Sequence, residues 1–211
     1  MEIVWLGHSC FRIRGKEATI VTDPFDRTLG YPVKKLTANI VTVSHPHPQH
    51  SFVADVAGSP RVISRPGEYE IANVFINGIS TFHDAERGEH RGKNTVYLVQ
   101  IEEVSICHLG DLGHVPTAEQ IEQMSDTDIL MVPVGGGATI GATAAVEIIS
   151  LLQPKLVIPM HFKTEAVKMD LEPLEPFLKE MGLKEVVTQP KLNVSKSSLP
   201  ADTSVVVLDY H

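Results

Sequence analysis

Short apolar runs separated by turn residues dominate the first half of the chain. EIVWLG (2–7), CFRIRG (10–15), ATIVTDP (18–24) and ANIVTVS (38–44) are rich in β-branched and aromatic residues. Their length and composition mark strands rather than helices. The same signature recurs in RVIS (61–64), EIANVFINGIST (70–81), NTVYLVQIE (94–102) and VSICHLGD (104–111). It continues in DILMVPV (128–134), KLVIPMH (155–161), EVVTQ (185–189) and SVVVLDY (204–210). Helical patterning is concentrated in the second half. TAEQIEQM (117–124) begins on Thr117 and carries Gln120 three residues on, a capping box. TAAVEIISLL (143–152) stops before Pro154, and LEPLEPFLKEMG (171–182) closes on Gly182. A further short helix is expected between Pro48 and Gly58.

Strands early, and helices alternating with strands later, suit an α/β arrangement in which one sheet packs on another with helices outside. The 211 residues fit one domain, 1–211, with no repeat and no linker. A 43% apolar content is enough to fill its core. The net charge of -8 opposes general binding to phosphate backbones, so no nucleic-acid partner is expected. No run reaches the ~18 apolar residues of a membrane span. The start, MEIVWLGHSC, lacks the pattern of an export signal. The expected location is therefore the cytoplasm, with Cys10 and Cys107 as free thiols.

The chemistry concentrates in SHPHPQHS (44–51), where His45, His47 and His50 follow a strand. Residues two apart on an extended chain face the same side, so His45 and His47 address one point. A turn at Pro48 brings in His50. Neutral imidazole is the commonest protein ligand for zinc and its neighbours. His83, Asp111 and His161 each end a strand, where loops gather at one edge of a layered fold.

HxHxxH after a strand, with His83, Asp111 and His161 at strand ends, resembles the metallo-β-lactamase superfamily. WLGHSCFRI, IVTDP, GEYE, RGKNT, HLGDLGH and PMHFK narrow the likeness. They resemble the branch of Zn-dependent hydrolases that includes L-ascorbate-6-phosphate lactonase, from Glu2 to about His161. The resemblance implies an αββα four-layer sandwich with a metal site at the edge of its sheets. It implies that His45, His47 and His83 bind one metal, that His50 and His161 bind a second, and that Asp111 bridges them. The family pattern is HxHxDH, and Gln49 stands where the family has its aspartate. A glutamine carbonyl is a neutral, weaker donor and cannot take up a proton. Weaker binding of the second metal and slower catalysis are expected, unless Asp84 or Asp23 compensates. Each of those two can equally be a partner that orients a ligating histidine.

The implied activity is metal-dependent hydrolysis, in which a metal-activated water attacks a lactone, ester or phosphoester. Asp111 and Gln49 are the candidate catalytic residues. The donor set suits one or two zinc ions and does not distinguish them from manganese, iron or nickel. RGEHRGK (87–93) and GGGATIGAT (135–143) hint at a small anionic substrate. Arg87, Arg91, Tyr69 and His8 are candidate substrate contacts, and His114 is a candidate partner of the site. His90, His108 and His211 carry no assigned role. The alternative is a metal- or ligand-binding module that has lost catalysis through Gln49. A homo-oligomer is compatible with the sequence.

Overall fold

A computed structural model describes residues 1–32 and 35–210. The chain begins with β1 (Glu2–Gly7), β2 (Cys10–Arg14), β3 (Thr19–Thr22), β4 (Leu36–Thr37), β5 (Ile40–Thr42), β6 (Val56–Ala57) and β7 (Arg61–Ile63). It continues with β8 (Gly67–Ile71), β9 (Val74–Phe82), β10 (Lys93–Ile101), β11 (Val104–His108), α1 (Ala118–Gln123) and β12 (Ile129–Pro133). Last come α2 (Ala142–Leu152), β13 (Leu156–Met160), α3 (Glu175–Glu180), β14 (Leu192–Asn193) and β15 (Ser204–Val205).

The strands form two main sheets, ordered β14-β1-β2-β3-β5-β7 and β15-β13-β12-β11-β10-β9-β8. Alternation along the first sheet assigns its faces. Ile3, Trp5, Phe11, Ile13, Ile20 and Ile40 turn inward to a core shared with β9–β13. Val4, Leu6, Cys10, Val21 and Val41 turn outward into a second apolar cluster with Phe25, Leu29, Tyr31 and Val167. Both faces are thus buried, which explains the nearly continuous apolar runs. Helix α2 covers the outside of the second sheet and packs on α3. This is the αββα class of fold. The outer layer over the first sheet is made by turns, a 3-10 segment (Arg27–Leu29) and the β4–β6 pair.

Several elements depart from the sequence expectation. The run 70–81 is two strands, because Ala72 and Asn73 both adopt positive φ and close a hairpin. EVVTQ supplies only an isolated bridge at Gln189, since it finds no neighbouring strand along its length. SVVVLDY is regular only at Ser204–Val205. The segment 48–58 forms a 3-10 turn at Val53–Asp55 and the short β6. Helix α3 is shorter than 171–182, with Pro176 confining its start. The Thr117 capping box is present as read.

One direction of travel positions the site. Strands β1, β3 and β5 run parallel to one another, because β2 pairs antiparallel between β1 and β3 and β3 pairs parallel with β5. By the same logic β9, β11, β12 and β13 run together in the second sheet. Their C-terminal ends deliver His8, Asp23, His45, His83, Asp111 and His161. The crevice beyond the carboxyl ends of strands is where α/β folds hold ligands.

Tyr97 of β10 ties the two sheets beneath this edge. Its hydroxyl reaches the carbonyl oxygens of Val43 and Ile63 at 3.0 and 3.1 Å from full burial. Tyr97→Phe should lower the unfolding free energy by about 1–2 kcal/mol, read by urea titration, because it strips a buried carbonyl of its donor. An unchanged midpoint would show that the hydroxyl is not a tie.

Candidate metal centre

Seven side chains with metal-binding atoms meet where the strand ends converge. Three overlapping groups have all their ligand atoms within 4.8 Å of one another: His45, His47 and His50; His45, His83 and Asp111; and His8, His50 and His161. Asp111 is the centre of the cluster. Its Oδ2 lies 3.2 Å from His50 Nε2 and 3.4 Å from the Nε2 atoms of His83 and His161. All but His47 are buried. The structure therefore brings together every metal ligand expected from the sequence, and adds His8.

The supporting contacts explain why these rings hold their orientation. Asp23 is fully buried and accepts from Ser44 N at 2.7 Å, Ser44 Oγ at 2.6 Å and His50 Nδ1 at 3.0 Å. Ser44 Oγ also lies 3.0 Å from His45 Nδ1. One carboxylate thus orients two imidazoles and turns His50 Nε2 toward Asp111. Asp111 N donates to Asn94 Oδ1 at 3.0 Å, while Ser9 Oγ reaches Asp111 Oδ1 at 3.4 Å. Gly110, at φ 57°, passes so close to Ser44 and Asn94 that a side chain there would collide with both. His8, Asp23 and His161 themselves carry φ of 54°, 38° and 54°. Such left-handed non-glycine residues store strain and cluster at functional sites.

Asp23 is an orienting partner, one of the two roles its sequence left open. Asp84 is turned away into its own loop. Its oxygens accept from the backbone N–H groups of Glu86, Gly88, His90 and Arg91 at 2.7–3.1 Å. Against the opposing effect of burial, these donors bring its carboxyl down to about 2. Asp84 thus shapes the loop that carries Arg91 and leaves Gln49 uncompensated. His114 supports the same corner, with Nδ1 donating to Val115 O at 2.9 Å and Nε2 accepting from Phe82 N at 3.3 Å. Asn94, Ser44 and Ser9 were not anticipated. Their roles arise from long-range contacts that no local motif encodes.

The electrostatics are those of crowded bases around one acid. Burial would raise the Asp111 carboxyl, but the His161 and His50 rings overturn this and hold it well below the usual range. Burial would lower His50, yet the Asp111 and Asp23 carboxylates push it up to about 10. Burial and then His50 bring His45 down to about 4. A proton and a metal ion are alternatives at the His50 Nε2 lone pair, since both relieve its contact with Asp111 Oδ2. His161 is fully buried, its Nδ1 has no hydrogen-bond partner, and its Nε2 faces Asp111 Oδ2 at 3.4 Å without forming a well-aligned hydrogen bond. Buried polar atoms are rarely left so. A cation among these nitrogens satisfies the Nε2 atom, so the residues present fit a metal.

An open cleft of about 540 Å³ leads to the cluster, and its wall includes Gln49, Arg91, Lys93, Ala138 and Met169. Ala138 belongs to the glycine-rich segment 135–143, which therefore reaches the site. Arg87 is exposed and is not on the wall. Tyr69 is not brought to the site either. It sits on edge strand β8 opposite Ile76, roughly 20 Å of strand rise from His83, and its hydroxyl donates to Arg65 O at 2.9 Å. His8 is buried behind the cluster rather than on the cleft wall. His108 Nε2 donates to Ser9 O at 2.8 Å within the core. His211 lies outside the described residues. A larger depression, of about 690 Å³, lies at the opposite ends of the strands, around Lys16, Glu102 and Lys196. No metal-binding group found among the described residues includes a residue of its wall.

Comparison with known proteins agrees with this architecture. Residues 2–161 match the family model described as a beta-lactamase superfamily domain. A UPF0173 metal-dependent hydrolase of Pelotomaculum thermopropionicum is 30% identical over 198 residues, covering 78% of this chain and 85% of its own. A crystal structure from Thermotoga maritima, described as a candidate Zn-dependent hydrolase of the metallo-β-lactamase superfamily, is 42% identical with a TM-score of 0.84. That match covers 100% of this chain and 99% of the other. An isothiocyanate hydrolase from Delia radicum gut bacteria shares the fold alone, at 14% identity and a TM-score of 0.71, over 92% and 99% of the two chains. The chain belongs to the metallo-β-lactamase superfamily and, within it, to the UPF0173 metal-dependent hydrolases.

Asp84→Ala should release the loop 84–92. Amide exchange at Gly88, His90 and Arg91 should accelerate by about tenfold or more for each bond lost. Unchanged protection, measured by hydrogen exchange, would mean that the backbone holds the loop without the carboxylate.

Proposed function

We propose that the cleft hydrolyses a small anionic substrate, a lactone, ester or phosphoester, at a dinuclear zinc site. The observation that carries this reading is Arg91 and Lys93 on the same wall as the cluster of imidazoles, in a chain of net charge -8. Two local cations on an acidic protein select for a small anion rather than for a polyanion. His45, His47, His83 and Asp111 are the residues that would hold one ion. His50 and His161, with Asp111 between the sites, would hold the other. Iron, manganese and nickel suit the same donors. Bound zinc supplies polarisation of the scissile oxygen and acidification of water.

The chain's own residues supply the rest. Arg91 presents a planar fork and Lys93 a point charge, so together they hold a carboxylate or phosphate at the cleft mouth. Asp111 is the one carboxylate among the clustered donors, and the rings around it keep it ionised. Gln49, half-buried on the wall, can orient a polar group through its amide but cannot accept a proton. Its neutrality supports a second reading, a binding module of the same fold in which catalysis has been lost.

Two measurements test these readings. Lys93→Ala and Arg91→Ala should each raise KM for anionic esters about tenfold or more, with little change in kcat and no change toward neutral esters. Equal effects on both substrate types would remove the case for anion selection. Gln49→Asp should increase an activity that the natural chain already has. If hydrolysis appears only in that variant, the binding-module reading stands and the hydrolase reading falls.

A further inference from the structure

We propose that His8 is itself a metal ligand. With His50 and His161 it forms a three-imidazole half of the site and provides the donor that Gln49 cannot. This rests on the reading of the cluster as a metal centre, and it departs from the substrate-contact role that the sequence suggested for His8.

Four observations carry it. The ligand atoms of His8, His50 and His161 lie within 4.8 Å of one another, and the residues are 1%, 1% and 0% exposed. His8 Nε2 is 3.1 Å from His50 Nε2, and the His8 and His161 ring centroids are 4.0 Å apart. Imidazole nitrogens packed this closely in a buried site are relieved by a shared cation.

The backbone also places His8 there deliberately. Its carbonyl accepts from Trp5 Nε1 at 2.9 Å and from His161 N at 3.2 Å, which pins a left-handed residue against the strand end that carries His161. Trp5 is itself held by Phe11, Tyr31, Phe162 and Tyr210. A hydrogen bond from His8 to His50 is the competing explanation. It would leave His161 Nε2 with only the poorly aligned 3.4 Å approach to Asp111 Oδ2, and the His8 and His161 Nδ1 atoms with no partner. The substitution of a neutral imidazole for the family carboxylate conserves the donor count and removes one negative charge. The second ion is therefore held by three nitrogens and the shared Asp111.

The test is metal content by mass spectrometry after zinc loading and dialysis, with zinc titration by calorimetry on the same samples. The wild type should hold about two ions per chain. His8→Ala and the less disruptive His8→Asn should each lose about one ion, whereas Gln49→Ala should keep both. Gln49→Asp combined with His8→Ala should recover the second ion, which also excludes misfolding as the cause of the loss. The affinity loss in His8→Ala should exceed the roughly 10–100-fold that a merely positioning partner produces. Two ions retained in both His8 variants, or a second ion lost in Gln49→Ala, overturns the proposal and leaves the metal centre standing. A single ion in the wild type that survives His8→Ala overturns it as well. No ion in the wild type after loading overturns the metal-centre reading together with it.

Discussion

The contact on which this molecule turns is Asp111 Oδ2 against three buried imidazoles. It joins the two sheets at one edge: His50 comes from the loop after β5, His83 from the end of β9, and His161 from the end of β13. A carboxylate with so little water is costly unless paired, and so is a set of unpaired imidazoles. Each therefore needs the other, or a cation shared between them. That need explains the density of supporting bonds around the cluster, and it explains why the strand ends tolerate left-handed residues.

The architecture makes such a cluster possible without long-range accidents. Parallel strands in both sheets release their C-terminal residues at the same edge, so each ligand requires only one position just beyond a strand. The inner core shared by β1, β2, β3 and β5 with β9–β13 then sets the distance between the two halves of the site. Tyr97, bonded across the sheets to Val43 and Ile63, holds that spacing directly below His45. Above it, the loop folded around Asp84 carries Arg91 onto the cleft wall. Rigid floor and organised rim are thus separate devices with separate causes.

Gln49 gives the site its individual character. In a centre of two dications, losing one carboxylate weakens electrostatic neutralisation and removes a proton acceptor. Ligation by His8, as proposed, would restore the donor count but neither the lost negative charge nor the proton acceptor, because a buried neutral ring behind the cluster cannot stand where substrate and water meet. The consequences for affinity and for catalysis can therefore differ.

The sequence alone determined a good deal. Runs of β-branched residues located most strands, Thr117 and Gln120 marked the start of α1, and His45, His47 and His50 after a strand, with His83, Asp111 and His161 at strand ends, marked the candidate metal ligands that the fold brings together. These are local patterns, set by backbone periodicity and by the chemistry of single side chains. The tertiary structure alone decided what depends on distant partners. EVVTQ has strand composition but finds only one bridging residue, and Tyr69 sits in a promising motif but lies far down an edge strand. Ser44, Ser9 and Asn94 are ordinary polar residues until the fold sets them against Asp23 and Asp111. His8 stands more than 30 residues from any other histidine of the cluster in sequence and 3.1 Å from His50 in space. Local propensity cannot encode that closeness, because it is produced by packing two sheets, and packing is a property of the whole chain.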